Sequence, residues 1–228
     1  MQILTILCIA IAPSLALLTY FYLKESHSSE PISMVMKLFL FGVLLVFPTM
    51  VIQRGLVLGL GENDFLFSFV ISGGIEEFLK LFILYYTIYN HHIFDSPYDG
   101  IVYGVSISLG FATLENIIYA FSYSSSFFTL LLRGLLPISG HAIFGVMMGF
   151  YISKAKFLSQ KRYLILALAL PITWHGLFDY IMLVFQTNWI LILVLFMALL
   201  WIKGLRKVKQ ANHYSAGFNV SNDKKFEV

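Results

Sequence analysis

Two adjacent carboxylates and a lysine stand inside a long apolar stretch of this chain. Glu76, Glu77 and Lys80 lie within the run from Phe65 to Tyr89, which is long enough to cross a lipid bilayer. A charge at that depth costs about 2.5–3.5 kcal/mol or more, so it is tolerated mainly where it pairs or takes part in chemistry. On a helix, Lys80 lies one turn from both carboxylates and can neutralise one of them. The other is a candidate general base, and the alternative is a buried ion pair that only fixes helix packing.

Three further apolar segments carry polar side chains that could act together with this pair. These side chains are Glu115 and Asn116, His141, and His175 with Asp179. His175 and Asp179 are four residues apart, so they share one face of a helix, and the aspartate can hold one tautomer of the imidazole. Such a pair can also serve only to join two helices by a hydrogen bond. At 1.5 Å of rise per residue, all of these side chains can converge in one layer, central in the membrane or slightly toward its outer face.

Glutamates and histidines around one point in a membrane suit the activation of water for hydrolysis. One glutamate would take the proton of the water, while the histidines and Asn116 would stabilise the oxyanion of a tetrahedral intermediate. The same groups could instead bind zinc through His141, His175 and Glu76. The familiar His-Glu-x-x-His zinc helix is absent from the sequence. The residues by themselves leave both chemistries open.

A function of another class also fits these residues. Intramembrane Glu and His side chains can relay protons in a proton-coupled transporter or channel. Transporters of that kind tend to have discontinuous helices in two corresponding halves of the chain. We find no such halves here, and cleavage of a single-span peptide by the purified protein would distinguish the two classes.

The composition of the chain is that of an integral membrane protein. Of its 228 residues, 59% are hydrophobic and 12% are charged, whereas a soluble domain carries about 25% charged residues. We therefore expect a multi-pass protein of the cell membrane in contact with the lipid bilayer. The net charge of +3 is a signal of membrane topology and gives no reason to expect a nucleic-acid partner.

Hydropathy predicts an all-α membrane bundle of about seven transmembrane helices. They run from about 3 to 23, 33 to 53, 65 to 89, 101 to 121, 134 to 153, 163 to 185 and 189 to 205. An interfacial segment is expected before the fifth helix and ends at Arg133. Residues 1–205 would form the transmembrane domain, and the polar tail 206–228 would be cytoplasmic and disordered.

The distribution of basic residues predicts how the bundle is oriented. With the N-terminus outside and the C-terminus in the cytoplasm, 12 of the 15 Lys and Arg residues face inward. Only Arg54 and Arg133 then face outward, and Lys80 lies within the membrane. Because cytoplasmic loops carry an excess of Lys and Arg, this imbalance favours an N-out, C-in topology.

Four motifs in this order resemble those of the PrsW intramembrane proteases. They are Glu76-Glu77-x-x-Lys80, Phe111-x-x-x-Glu115-Asn116, His141-x-x-x-Gly145 and His175-x-x-x-Asp179. The resemblance covers nearly the whole chain, and the placement of the motifs on helices agrees as well. That family is similar to the CAAX prenyl endopeptidase and bacteriocin-processing family, whose members share a paired-glutamate motif followed by two histidine motifs.

The resemblance implies an intramembrane endopeptidase that cleaves a single-span membrane anti-sigma factor at site 1, on its extracytoplasmic side, in envelope-stress signalling. It implies a catalytic set with Lys80 as the ion-pair support of the glutamates. That set consists of Glu76, Glu77, Glu115, Asn116, His141, His175 and Asp179. We expect a glutamate-activated water without a metal or another cofactor, and zinc held by His141, His175 and Glu76 is the alternative.

Overall fold

The structure, a computed structural model, describes residues 3–25, 30–61, 63–122, 127–185 and 187–226. Within these residues the chain forms seven helices and no strand. They are α1 (Ile3–Leu23), α2 (Ile32–Leu60), α3 (three consecutive pieces, Asp64–Leu66, Phe67–Ser72 and Gly73–Ile88), α4 (Asp99–Ser122), α5 (Phe127–Phe157), α6 (Arg162–Val184) and α7 (Trp189–Phe226). The segments 24–31, 122–126 and 186–188, which lie between predicted helices, are partly outside the described residues.

The seven helices form a bundle that spans the membrane several times. In the described part of the chain, six of them, all except α3, are long and apolar enough to cross a membrane. The remaining helix, α3, carries the acidic pair and is divided by a π-helical turn at Phe67–Ser72. The predicted all-α, polytopic membrane bundle is thus confirmed, and the protein is a multi-pass membrane protein. Its N-out, C-in orientation stays a prediction.

Helices α4 and α5 form the centre of the bundle. In the most apolar 18-residue window of each helix, 78% of the α4 residues and 72% of the α5 residues are buried, against 17% in α1 and 22% in α7. The outer helices therefore leave most of their apolar surface for lipid, while α4 and α5 are enclosed by protein.

Glycines allow α4 and α5 to pack backbone against backbone. A Cβ atom on Gly149 would lie 1.9 Å from the carbonyl oxygen of Gly100, and one on Gly104 would lie 2.4 Å from that of Gly145. No larger residue fits at this contact without moving a helix, as is usual where small residues join transmembrane helices. The contact fixes the height of α5 against α4, and with it the position of His141.

Helices α2 and α5 are longer than the sequence predicted. Helix α2 continues to Leu60, so most of the loop predicted at 54–64 is helical. The helix ends before Gly61, whose φ of 80° lies in the left-handed region that glycine adopts most readily. Helix α5 begins at Phe127, so the segment predicted to be interfacial as far as Arg133 is the first part of that helix.

The predicted disorder of the tail 206–228 differs from the structure. Helix α7 does not end at residue 205 but continues to Phe226. Val208, Ala211 and Ser215 are buried at 2%, 1% and 1% exposure, and their spacing places them on one helix face. The Ser215 hydroxyl lies 2.8 Å from that of Ser96. The abundance of Lys, Asn and Ser around this narrow buried stripe concealed it in the sequence.

Buried acids hold the first residues of α4 in place. The Asp99 Oδ2 atom accepts the backbone N–H groups of Asp95 at 2.9 Å and Ser96 at 2.6 Å. Glu30, which precedes α2, accepts a hydrogen bond from the Tyr103 hydroxyl. Burial, reinforced by the carboxylate of Asp99, raises the pKa of Glu30 to about 10. The Glu30 carboxyl is therefore neutral at ordinary pH.

Candidate active site

The π-helical turn in α3 sets the start of the site. It comprises Phe67–Ser72, and wide turns of this kind often occur at functional sites. The Ser72 hydroxyl donates a hydrogen bond of 2.5 Å to Oδ2 of Asp179 on α6. A Cβ atom on the next residue, Gly73, would lie 3.1 Å from the backbone nitrogen of Gly176. The close approach of α3 and α6 brings the acidic pair up to α6.

Lys80 joins the two glutamates to α5. Its ammonium nitrogen lies 2.8 Å from Oε1 of Glu77, 3.4 Å from Oε2 of Glu76 and 3.1 Å from Nδ1 of His141. It also lies 4.2 Å from the centre of the Phe111 ring, within the range of a cation–π interaction. The side chain is fully buried. The lysine therefore contacts both carboxylates, and not one of them alone.

The contact with Lys80 assigns a tautomer to His141. An ammonium group can only donate, so Nδ1 of His141 must be the acceptor. A neutral His141 then carries its proton on Nε2, which lies 3.2 Å from Oε2 of Glu115 on α4. Glu115 thereby orients the imidazole from its other side.

His175 lies between the two glutamates and Asp179. Its Nδ1 atom is 2.9 Å from Oε1 of Glu77, while Nε2 is 3.9 Å from Oε2 of Glu76 and 3.6 Å from Oδ2 of Asp179. The Phe144 ring stacks on the imidazole with ring centres 5.1 Å apart. The His175–Asp179 pair predicted from the sequence is thus present, but the closest partner of His175 is Glu77.

The two glutamates differ in their access to open space. The Glu77 side chain is completely buried, whereas that of Glu76 is 7% exposed. A cavity of about 220 Å³ lies beside Glu76, and Glu77 does not line it. A second cavity of about 250 Å³ also borders Glu76. The polar residues that line the first cavity are Gln53, Ser72, Glu76, Glu115, His141, His175 and Asp179.

Sequence reasoning missed two residues of the site, Gln53 and Ser72. The Gln53 Nε2 atom donates to Oε1 of Glu76 at 3.2 Å, and Gln53 lines both cavities. The hydropathy pattern predicts that the second helix ends at Gln53, but α2 continues for two more turns, so the amide lies within the helix. An amide in an apolar helix is a usable signal, whereas a lone serine such as Ser72 is too common in membrane helices to be one.

Asn116 does not lie where the sequence predicted. Its Nδ2 atom donates to the carbonyl oxygen of Ala10 on α1 at 3.2 Å, and the side chain lines neither cavity at Glu76. Adjacent residues point about 100° apart on a helix, and the rotation of α4 directs Glu115 to the cavity and Asn116 to α1. Every other residue of the predicted set does lie in one cluster.

Four residues of this cluster could provide ligands to a metal ion. Glu76, Glu77, His141 and His175 each offer one ligand atom, and these atoms lie within 4.8 Å of one another. Imidazole nitrogens and carboxylates are the types of ligand that catalytic zinc uses. The ammonium group of Lys80 contacts three of these four residues, however. A metal ion held by the cluster would have to compete with that ammonium for them.

Comparison with known proteins assigns the chain to a family. The family described as "PrsW family intramembrane metalloprotease" matches residues 30–202. The protein named "Protease PrsW" of Geobacillus kaustophilus is 49% identical over 208 residues, which cover 90% of this chain and 91% of that protein. The protein of the same name from Bacillus subtilis is 49% identical, over 90% of this chain and 95% of its own length. That from Halalkalibacterium halodurans is 44% identical, over 91% of this chain and 97% of its own length. No solved structure matches this chain.

The match extends over helices α2 to α6 and reaches into α7, so it includes every side chain of the cluster around Lys80. Family membership favours proteolysis over the proton-coupled transport that the same residues could support. The chain belongs to the PrsW family of intramembrane proteases.

Proposed function

We propose that Glu76 is the general base of this intramembrane protease and activates the water that attacks the peptide bond. The observation that carries the proposal is that Glu76, unlike Glu77, borders the cavities in which a water and a peptide could meet. A base must lie within hydrogen-bonding reach of the proton that it takes. Gln53 donates to Oε1 of Glu76 and Lys80 lies 3.4 Å from Oε2, so both contacts hold the carboxylate at the edge of the cavity.

The neighbouring residues have supporting roles in this proposal. Glu77 is held by Lys80 at 2.8 Å and by His175 at 2.9 Å, so it positions those two side chains and does not take the proton. His175 lines the cavity, and its Nε2 atom, 3.6 Å from Asp179, is the best-placed imidazole donor for an oxyanion. His141 lines the cavity as well, but the one N–H of its neutral ring is directed at Glu115. Asp179, itself held by Ser72, orients His175 from the far side.

The proposed chemistry needs no metal ion. Lys80 supports this, because its ammonium already supplies positive charge among the atoms that would hold a metal. A cation in that place neutralises Glu77 and keeps a donor on Nδ1 of His141. An ion that displaced the lysine would have to take over both functions.

We further propose that the substrate is a single-span membrane anti-sigma factor, cut on its extracytoplasmic side in envelope-stress signalling. The resemblance of the four motifs to those of the PrsW proteases implies this class of substrate. The position of the cluster supports the side of the cut. Glu76 lies midway along α3, while Glu115 and Asp179 lie in the halves of α4 and α6 that face outward in the N-out, C-in topology. An extended segment at the outer end of the substrate helix could reach this layer with its backbone amides unpaired.

A reconstituted cleavage assay tests the function. The purified protein is placed in liposomes with a single-span anti-sigma substrate, and the fragments are identified by mass spectrometry. We expect one cut at or just outside the outer end of the substrate helix, and we expect full activity after exhaustive chelation, with metal far below one ion per chain. Activity that disappears on chelation and returns with zinc would overturn the metal-free mechanism. A cut on the cytoplasmic side would overturn the proposed topology.

A further inference from the structure

A cavity of about 450 Å³ lies at the opposite end of the bundle from Gln53 and Asp179. The end of α5, the segment before α4 and the far part of α7 enclose it. Its walls include the rings of Phe150, Phe157 and Tyr214. None of the residues that line it belongs to the cavities at Glu76. We call it the basic groove, because of the two lysines described next.

Two lysines flank one aromatic wall of the basic groove. Lys154 lines the groove, and its ammonium nitrogen lies 5.6 Å from the centre of the Phe150 ring. The ammonium nitrogen of Lys207, on α7, lies 4.8 Å from the same ring centre. Among the described residues, neither lysine forms an ion pair with a carboxylate. Two positive charges without a negative partner therefore stand beside an apolar cavity.

The groove lies at the level where the membrane–water interface is expected. It lies between Pro97, just before α4 begins, and Leu158, just after α5 ends. In the predicted topology this end of the bundle is cytoplasmic. Basic pockets between transmembrane helices on that side bind anionic lipid headgroups. An amphiphile with an anionic head and a hydrocarbon chain matches both the lysines and the aromatic walls, whereas an inorganic anion would leave those walls uncovered.

We propose that the basic groove binds one anionic phospholipid of the surrounding leaflet. Its phosphate lies near Lys154 and Lys207, and the upper part of one acyl chain packs against Phe150 and Tyr214. The lipid thereby joins the far part of α7 to the end of α5. This proposal does not depend on the protease chemistry at Glu76.

Native mass spectrometry of the full chain tests the proposal. The purified, delipidated protein is titrated with phosphatidylglycerol and, separately, with phosphatidylcholine. We expect one preferential site for phosphatidylglycerol. The double substitution Lys154→Gln and Lys207→Gln should weaken it roughly 25-fold, at about fivefold for each lysine near the surface. The matched control, Lys161→Gln with Lys209→Gln, removes the same charge from exposed positions at the same end of the bundle and should change the affinity less than twofold.

Four results would overturn the proposal. Equal affinity for the two lipids would show that the groove does not distinguish anionic from zwitterionic headgroups. Equal losses of phosphatidylglycerol affinity in the two double variants would show that only the general surface charge matters. A photoreactive residue at Tyr214 that labels a polypeptide in membranes instead of a phospholipid would show that the occupant is a protein. Leu158→Glu is a second variant that adds a negative charge to the half-exposed mouth, and unchanged phosphatidylglycerol affinity in this variant would also contradict the site.

Discussion

The ammonium nitrogen of Lys80 on α3 lies 3.1 Å from Nδ1 of His141 on α5. This contact links the acidic pair to the histidine that lines the cavity, and it gives a neutral His141 the tautomer with its proton on Nε2. The same ammonium neutralises Glu77 at 2.8 Å. One lysine thus fixes both the charge and the tautomer on which the proposed chemistry depends.

Lys80→Met should damage both stability and activity. It leaves Glu77 buried without its cation, and removing one partner of a buried ion pair typically costs about 3–5 kcal/mol. We expect a large fall in the thermal unfolding midpoint in detergent, together with loss of cleavage. The control is Lys37→Met, at an exposed position on α2, which should leave both measurements near those of the wild type. A stable and active Lys80→Met protein would contradict the role given to the lysine.

Ser72→Ala should lower activity without a large change in stability. The substitution removes the 2.5 Å hydrogen bond that holds Asp179 beside His175. We expect about a tenfold loss of turnover, which is the loss of roughly one hydrogen bond to a charged group. Ser68→Ala lies in the same π-helical turn, and the Ser68 hydroxyl has no hydrogen-bond partner among the described residues, so it is a matched control. Equal effects of the two substitutions would mean that Ser72 acts only through packing.

Asn116→Ala and Glu115→Gln should have different effects. Asn116 bonds the Ala10 carbonyl and lines neither cavity at Glu76, so its loss should cost about 1 kcal/mol of stability and change turnover only a few-fold. Glu115 orients His141, so Glu115→Gln should lower turnover at least tenfold. Unfolding midpoints and cleavage rates of both variants, measured together, check this. An inactive but stable Asn116→Ala protein would restore the role that the sequence motif suggested.

Glu30→Gln should make the protein more stable in alkali. The Glu30 pKa is raised from 4.5 to about 10 in the folded chain, so folding takes up a proton at any pH between these values. The free energy of unfolding therefore falls as the pH rises through this window. A glutamine keeps an acceptor for Tyr103 and cannot ionise. We expect a higher unfolding midpoint than that of the wild type at pH 8 to 9, and little difference near pH 4.5. Asp64→Asn, which neutralises an exposed carboxylate, should show no such dependence.

Much of the site could be predicted from the sequence because charged residues are rare in membrane helices. Each of Glu76, Lys80, His141 and His175 interrupts an apolar run, and the seven apolar runs give the order of the helices. The shape of the site depends on contacts between helices, and the sequence of one helix does not reveal these contacts. The π-helical turn before Gly73 accompanies the close approach of Gly176, and neither glycine alone predicts it.

The direction in which a side chain points from its helix is the other feature that the sequence does not determine. Glu115 and Asn116 are adjacent in one motif, yet one faces His141 and the other faces α1, because the packing of α4 among its neighbours sets its rotation. The same reason separates Glu76 from Glu77. Both are acidic and adjacent, and only the structure distinguishes the one that borders the cavities.

The most direct test of the account is the single-turnover cleavage rate of Glu76→Gln, measured beside its unfolding midpoint. We predict a loss of at least about 10²-fold, as for the removal of a general base, with a midpoint close to that of the wild type because Glu76 borders a cavity. Glu77→Gln should instead lose activity and stability together, since Glu77 is fully buried against Lys80 and His175. A Glu76→Gln protein that cleaves near the wild-type rate would contradict the assignment of Glu76 as the base.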